Sequence, residues 1–97
     1  MKIIYDKAVL PKIGVYKIEL GNHFYIGHTG VSFKQRWDRH VWNFINLKCN
    51  RKFKLFLRGN STIKFSMIKE CYNKNEAIAW ETYYINELQP DLNVKMK

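Results

Sequence analysis

The feature that most limits what this chain can become is the dipeptide Gly21-Asn22, set between two runs rich in Tyr, Ile, Val and Phe. Glycine and asparagine tolerate positive φ, so the pair suits a two-residue hairpin turn. Such a turn fixes the register of the strands beside it: Leu20 falls opposite His23, Ile18 opposite Tyr25 and Tyr16 opposite Gly27. Directly opposed residues share one face of a ribbon. Tyr16 and Tyr25 therefore become diagonal neighbours, two phenols flanking one spot. Gly27 lacks a side chain and leaves space across from Tyr16 that suits a close approach by a ligand or another backbone.

A helix follows at once. Ser32 with Gln35 three residues later is a capping-box pattern, in which each side chain satisfies a backbone donor at the helix start. The apolar stripe is Phe33, Trp37, Val41, Phe44 and Ile45. Arg36 and His40 stand four apart, hence on one face, beside that stripe and within reach of the hairpin.

Charge enters here. The chain carries 17 Lys and Arg against 8 Asp and Glu, a formal net charge of +9. Between Glu19 and Glu70 the sole acid is Asp38, among ten cations. A polyanion is the expected partner, because neutralising phosphates releases counterions and supplies most nonspecific affinity for nucleic acid. A solvated basic surface or an anionic membrane surface is the competing reading. Lys34 and Arg39 join Arg36 on the first helix as candidate phosphate contacts.

Downstream, Asn50 caps a short second helix over Arg51 to Arg58, closed by Gly59 as a left-handed cap. Phe53, Phe56 and Leu57 face inward, leaving Arg51, Lys52, Lys54 and Arg58 outward as either a phosphate-contacting edge or an ordinary solvated face. Ser61 to Cys71 alternates as a strand, with Ile63, Phe65, Met67 and Lys69 on one side. Placed beside the hairpin, it makes a three-stranded antiparallel sheet covered by helices. Met1 to Ile13 holds a short apolar run and a Leu10-Pro11 break, and reads as an edge strand or a lead-in arm.

The last long element runs from about Asn75 to Leu88, capped by Asn73 or Asn75. Its inward stripe is Ala77, Glu81, Tyr84, Ile85 and Leu88, at helical spacing. Glu81 is the misfit. A partly buried carboxylate costs on the order of several kcal/mol unless it is paired, hydrogen-bonded, protonated or bound to a metal. A structural pair, a catalytic acid or base, and a ligand for a hard divalent cation all satisfy that demand. The basic surroundings favour the last, since Mg²⁺ is commonly held by one or two carboxylates together with waters and substrate phosphates.

Gly14-Val15-Tyr16, Tyr25-Ile26-Gly27-His28-Thr29, Arg36 and His40, the helical Glu81, and Pro90 to Asn93 together resemble the motifs of the GIY-YIG nuclease family. The resemblance spans about Lys12 to Asn93 and departs only in Val15, where the family usually has Ile. It implies an α/β domain in the order β-β-α-α-β-α that hydrolyses DNA endonucleolytically, with Mg²⁺ or Mn²⁺ on Glu81, one ion per site. By the same resemblance Tyr16 takes the proton of the attacking water, with His40 as its partner or as the base itself. Arg36 binds the scissile phosphate, Tyr25 orients water or phosphate, and Asn93 organises the site. Products carry 5′ phosphates and 3′ hydroxyls.

Residues 1–97 read as one domain with a single modest core. No apolar run approaches a membrane span, and no secretory leader pattern is present, so an intracellular, cytoplasmic protein is expected. Cys49 and Cys71 suggest neither zinc nor a disulfide framework. His23 is expected to face solvent beside the turn, and His28 is a secondary candidate for lining the site. Trp37 belongs to the core, while Trp42 and Trp80 fit either core packing or base stacking. No separate DNA-reading module fits within the chain, so low sequence specificity is expected, or specificity from a homodimer or a partner protein. A catalytically inactive nucleic-acid-binding module of the same fold is the alternative, and an interaction protein with a basic docking face is a third.

Overall fold

The computed structural model describes residues 2–49, 51–57 and 62–93. The hairpin forms as its turn dictates. Strand β2 (Gly14–Leu20) and strand β3 (His23–Thr29) pair antiparallel, with Leu20 opposite His23, Ile18 opposite Tyr25 and Tyr16 opposite Gly27. Of the two turn residues only Gly21 takes a positive φ, at 61°.

The sheet is larger than the three antiparallel strands expected. Strand β1 (Lys2–Ile4) lies parallel to strand β4 (Thr62–Glu70), Ile3 against Ile63, and the order is β1-β4-β2-β3, a mixed four-stranded sheet. The opening run is thus an edge strand, which covers the side of β4 that the hairpin leaves bare. A 3-10 turn at Lys7–Val9, capped by Asp6, follows it.

Helix α1 (Phe33–Ile45) begins with Ser32 Oγ accepting from the Gln35 N–H at 3.1 Å. The Leu10 and Lys12 carbonyls accept from Lys34 and Phe33, so further donors of the first turn are satisfied by the incoming loop. Helix α2 (Arg51–Leu57) is short. Helix α3 (Lys74–Leu88) is capped by Asn73, whose side chain accepts from the Glu76 N–H at 2.8 Å. Among the described residues no helix is long and apolar enough to cross a membrane.

Each face of the sheet has its own core. Tyr16, Ile18 and Leu20 pack with Phe33, Trp37, Phe44, Phe53, Phe65 and Leu92 on the face covered by α1 and α2. Val15, Ile26, Cys71 and Ala77 pack on the other, with Trp80, Tyr84 and Ile85 of α3. Ile45 and Leu88, both expected inside, are 68% and 48% exposed. Each sits in the last turn of its helix, and Ile45 is already 100° of helical rotation past Phe44.

A bulge overturns one further expectation. The β2–β4 register shifts between Val15, opposite Lys69, and Tyr16, opposite Met67, so Ile68 has no counterpart on β2. The extra residue swings Lys69 off the Met67 face and onto the α3 face, where its ammonium lies 4.8 Å from the Trp80 ring centre. The positions assigned to Asn50, Arg58 and Gly59 lie outside the described residues, as does the Phe56 side chain.

Candidate active site

Two features of the hairpin set the site. Tyr16 and Tyr25 share a face as the register requires, their ring centres 6.4 Å apart. Gly27 does not leave open space between them. A Cβ there would stand 2.5 Å from the Tyr16 hydroxyl and 2.9 Å from Tyr25 Cε1, so the glycine makes room for the phenol to lie across β3.

From α1, His40 reaches the same spot. Its Nε2 lies 2.7 Å from the Tyr16 hydroxyl. Burial, then the nearby Arg36 and Arg39 charges, lower the His40 pKa to about 4. The ring is therefore neutral at physiological pH, and its Nε2 can accept a hydrogen bond from the phenol when the ring's proton is on Nδ1. Tyr16 itself is driven upward by burial and then by Tyr25, which outweigh the opposing pull of Arg36. Burial also raises Tyr25. Without help, neither phenol ionises at neutral pH.

Arg36, Arg39, His40 and Asn43 line an open cleft of about 190 Å³ beside this pair. Burial disfavours the Arg36 charge, but Tyr16, Tyr25 and Glu81 outweigh it and raise its pKa. Among the described residues Arg36 Nε is a buried donor without a hydrogen-bond partner. Two arginines, one of them with an unpaired buried donor, suit an anion with several oxygens. Asn43 was not singled out from the sequence, although it follows Arg39 by four and His40 by three, the spacing that lines one helix face.

Glu81 approaches from the other side of the sheet. Its carboxylate Oε2 lies 2.9 Å from His28 Nδ1, with side chains 21% and 26% exposed. The partner that the buried carboxylate demanded is thus a histidine. β3 is an edge strand, so groups from both faces can converge past it, and Glu81 contributes to the raised pKa of Tyr16, Tyr25 and Arg36 alike.

Beyond Leu88 the chain returns along the free edge of β3. Asp91 accepts from the Phe24 N–H at 3.0 Å and from His23 at 2.5 Å, so His23, expected simply to face solvent, is partly exposed and also tied to the returning segment. Leu92 N–H donates to the Phe24 carbonyl at 3.1 Å. Asn93 grips Ile26 twice, accepting from its N–H at 2.9 Å and donating to its carbonyl at 2.8 Å. That clamp holds the residue next to Gly27.

The expected phosphate contacts divide. Arg36 and Arg39 are at the cleft. Lys34 lies on the opposite flank of α1, paired with Asp38 at 2.8 Å. Lys52 donates to the Asp91 carbonyl at 3.0 Å, tying α2 to the returning segment, while Arg51 and Lys54 are exposed. Trp42 is 52% exposed with Lys48 over its ring, and Trp80, on α3, packs partly buried against the core of that face.

Could these residues hold a cation? Among the described residues no cluster of three or more His, Cys, Asp or Glu stands together. Glu81 presents one carboxylate oxygen to His28 and keeps the other without a partner among the described residues. One carboxylate oxygen fits a hard divalent cation that takes its remaining ligands from water and a substrate phosphate.

A small α/β domain that gathers two phenols, a neutral histidine, two arginines and a carboxylate at one sheet edge has the equipment for phosphate-ester chemistry. The chain belongs to the GIY-YIG family: the sequence profile of the GIY-YIG catalytic domain matches residues 12–96. Its fold is similar to that of the catalytic domain of the homing endonuclease I-TevI, with a TM-score of 0.73 and 24% identity over 88% of this chain and all of that one. It is also similar to the N-terminal endonuclease domain of UvrC from Thermotoga maritima, with a TM-score of 0.58 and 18% identity over 90% of this chain and 88% of that one. That UvrC structure is of a point mutant bound to its catalytic divalent cation. At these identities the likeness speaks for the fold. No curated protein matches the chain in sequence.

Proposed function

We propose that this protein is a divalent-cation-dependent DNA endonuclease of low sequence specificity that leaves 5′-phosphate and 3′-hydroxyl ends. The observation that carries the reading is the 2.7 Å contact between the Tyr16 hydroxyl and a neutral His40, beside the Arg36–Arg39 cleft. Phosphodiester hydrolysis needs a route for the proton of the attacking water, positive charge for the phosphoryl oxygens and relief for the departing oxygen.

Here the Tyr16 oxygen takes the water's proton as its own proton passes to His40 Nε2. A phosphate seated between Arg36 and Arg39 offsets the charges that help hold His40 at low pKa, so its binding makes His40 a better acceptor. Arg36 grips the phosphate by a planar fork that a lysine cannot reproduce. Tyr25, whose ring centre lies 6.4 Å from that of Tyr16 and 5.5 Å from that of His40, would orient water or phosphate through its hydroxyl, and Asn93 holds the strand that carries it. Glu81 would hold the divalent cation, Mg²⁺ or Mn²⁺, which would supply charge stabilisation for the departing 3′ oxygen. A single site breaks one strand per encounter, so double-strand breaks require two copies or successive nicks.

The test is incubation of supercoiled plasmid with Mg²⁺ or Mn²⁺, alongside EDTA and Glu81→Ala controls. Metal-dependent nicking that Glu81→Ala abolishes is the expected result. Intact plasmid in every lane, with salt-sensitive retardation on a gel, would replace this reading with a nucleic-acid-binding module.

A further inference from the structure

The His28–Glu81 contact performs a task that none of the proposed catalytic steps uses. His28 lies on β3 next to Gly27 and opposite Val15, and so projects to the face of the sheet that α3 covers. An ionised carboxylate can only accept, so His28 Nδ1 is the donor in the 2.9 Å bond to Glu81 Oε2. One helical turn before Glu81, Ala77 is wholly buried against the sheet and anchors the backbone that carries the carboxylate. The side chain is therefore held at both ends, by its helix and by an imidazole.

We infer that His28 is a positioning residue for the cation site, fixing Oε2 by hydrogen bonding so that Glu81 offers only Oε1 to the cation. The inference rests on Glu81 being the cation ligand. A carboxylate on a flexible three-bond stem must otherwise lose its rotamer freedom when the cation binds, and a donor already bonded to it removes that cost beforehand. The arrangement also commits Glu81 to a single-oxygen ligand, leaving the other positions on the cation to water and phosphate.

The experiment is a Mn²⁺ titration of ¹⁵N-labelled protein without DNA, following paramagnetic broadening of the amides around residue 81. It compares the parent with Glu81→Gln, His28→Ala and His28→Asn. The amide nitrogen of an asparagine stands close to where Nδ1 stands and can make the same bond. We expect His28→Ala to weaken Mn²⁺ binding about ten-fold and His28→Asn to restore it to within about three-fold of the parent, the scale typical of partners that orient a ligand. The amide spectra report whether each variant is folded.

His28→Ala binding as tightly as the parent would overturn the inference. So would His28→Asn falling as far as His28→Ala, which is what direct ligation by the imidazole predicts. If Glu81→Gln leaves the broadening unchanged, the fault lies in Glu81 as cation ligand, and the role of His28 falls with it.

Discussion

The Tyr16 hydroxyl and His40 Nε2 stand 2.7 Å apart, and their rings meet edge-on with centres 5.7 Å apart. The tyrosine comes from a strand and the histidine from a helix, and each ring also contributes to the packing around the other. Phe33 and Trp37 hold the Tyr16 ring edge-on at 6.1 Å, so a phenylalanine at position 16 would keep the packing and lose only the hydroxyl. Tyr16→Phe is expected to lower the nicking rate by roughly 10²–10⁴-fold, the range for a group that moves a proton. Its melting temperature should stay near the parent's. An unchanged rate would remove Tyr16 from the proton path.

The depressed His40 pKa makes a statement about stability. His40 titrates near 4 when folded and near its ordinary 6.5 when unfolded. Below pH 6.5 the unfolded chain therefore binds the extra proton first, and stability falls as pH drops towards 4. The full loss is about 3 kcal/mol at most. Measured between pH 6.5 and 5, above the range where carboxylates titrate, this slope should flatten in His40→Gln. Parallel slopes for parent and variant would refute it.

Arg36→Lys keeps a charge and discards the fork. Gel retardation in EDTA should change little, while cleavage should fall by about 10²-fold or more, because the geometry matters most where charge develops on the phosphoryl oxygens. If the two measurements fall together, Arg36 serves ground-state binding alone.

Gly27→Ala tests the floor beneath Tyr16. The added methyl would sit 2.5 Å from the Tyr16 hydroxyl and 2.6 Å from Cζ, forcing the buried ring to shift. Overpacking of this kind costs about 1–3 kcal/mol. We expect a matching fall in stability by urea titration and loss of nicking even where the protein is fully folded.

Much of the site is legible in the sequence because it is local. The Gly21-Asn22 turn sets the β2–β3 register, and the four-residue spacing of Arg36 and His40 sets their common face. Glu81 stands out as a carboxylate on an apolar stripe. What the sequence conceals depends on pairing between distant segments. The three residues of β1 are too few to carry a period, and nothing local joins Ile3 to Ile63. Ile68 is apolar and suits either phase, so the bulge beside it, and with it the direction of Lys69, is invisible before the sheet is assembled. His28 meets Glu81 only because α3 packs on the face away from Tyr25. The short segment Asp91 to Asn93 follows Pro90 and has the composition of an ordinary turn, yet it completes the edge of β3.

That last segment gives the domain a timetable. Ile26 is locked by Asn93 and Phe24 by Asp91 and Leu92, so the strand carrying Tyr25 and Gly27 is finished by residues made some seventy positions later. β1 likewise waits for β4 before it has a neighbour. On a ribosome, the hairpin and α1 emerge early, but the strand edge where the phenols and the carboxylate converge is not sealed until residue 93 is free of the exit tunnel. A growing chain therefore closes this strand edge only once the segment Asp91 to Asn93 is available, however early the hairpin and α1 have emerged.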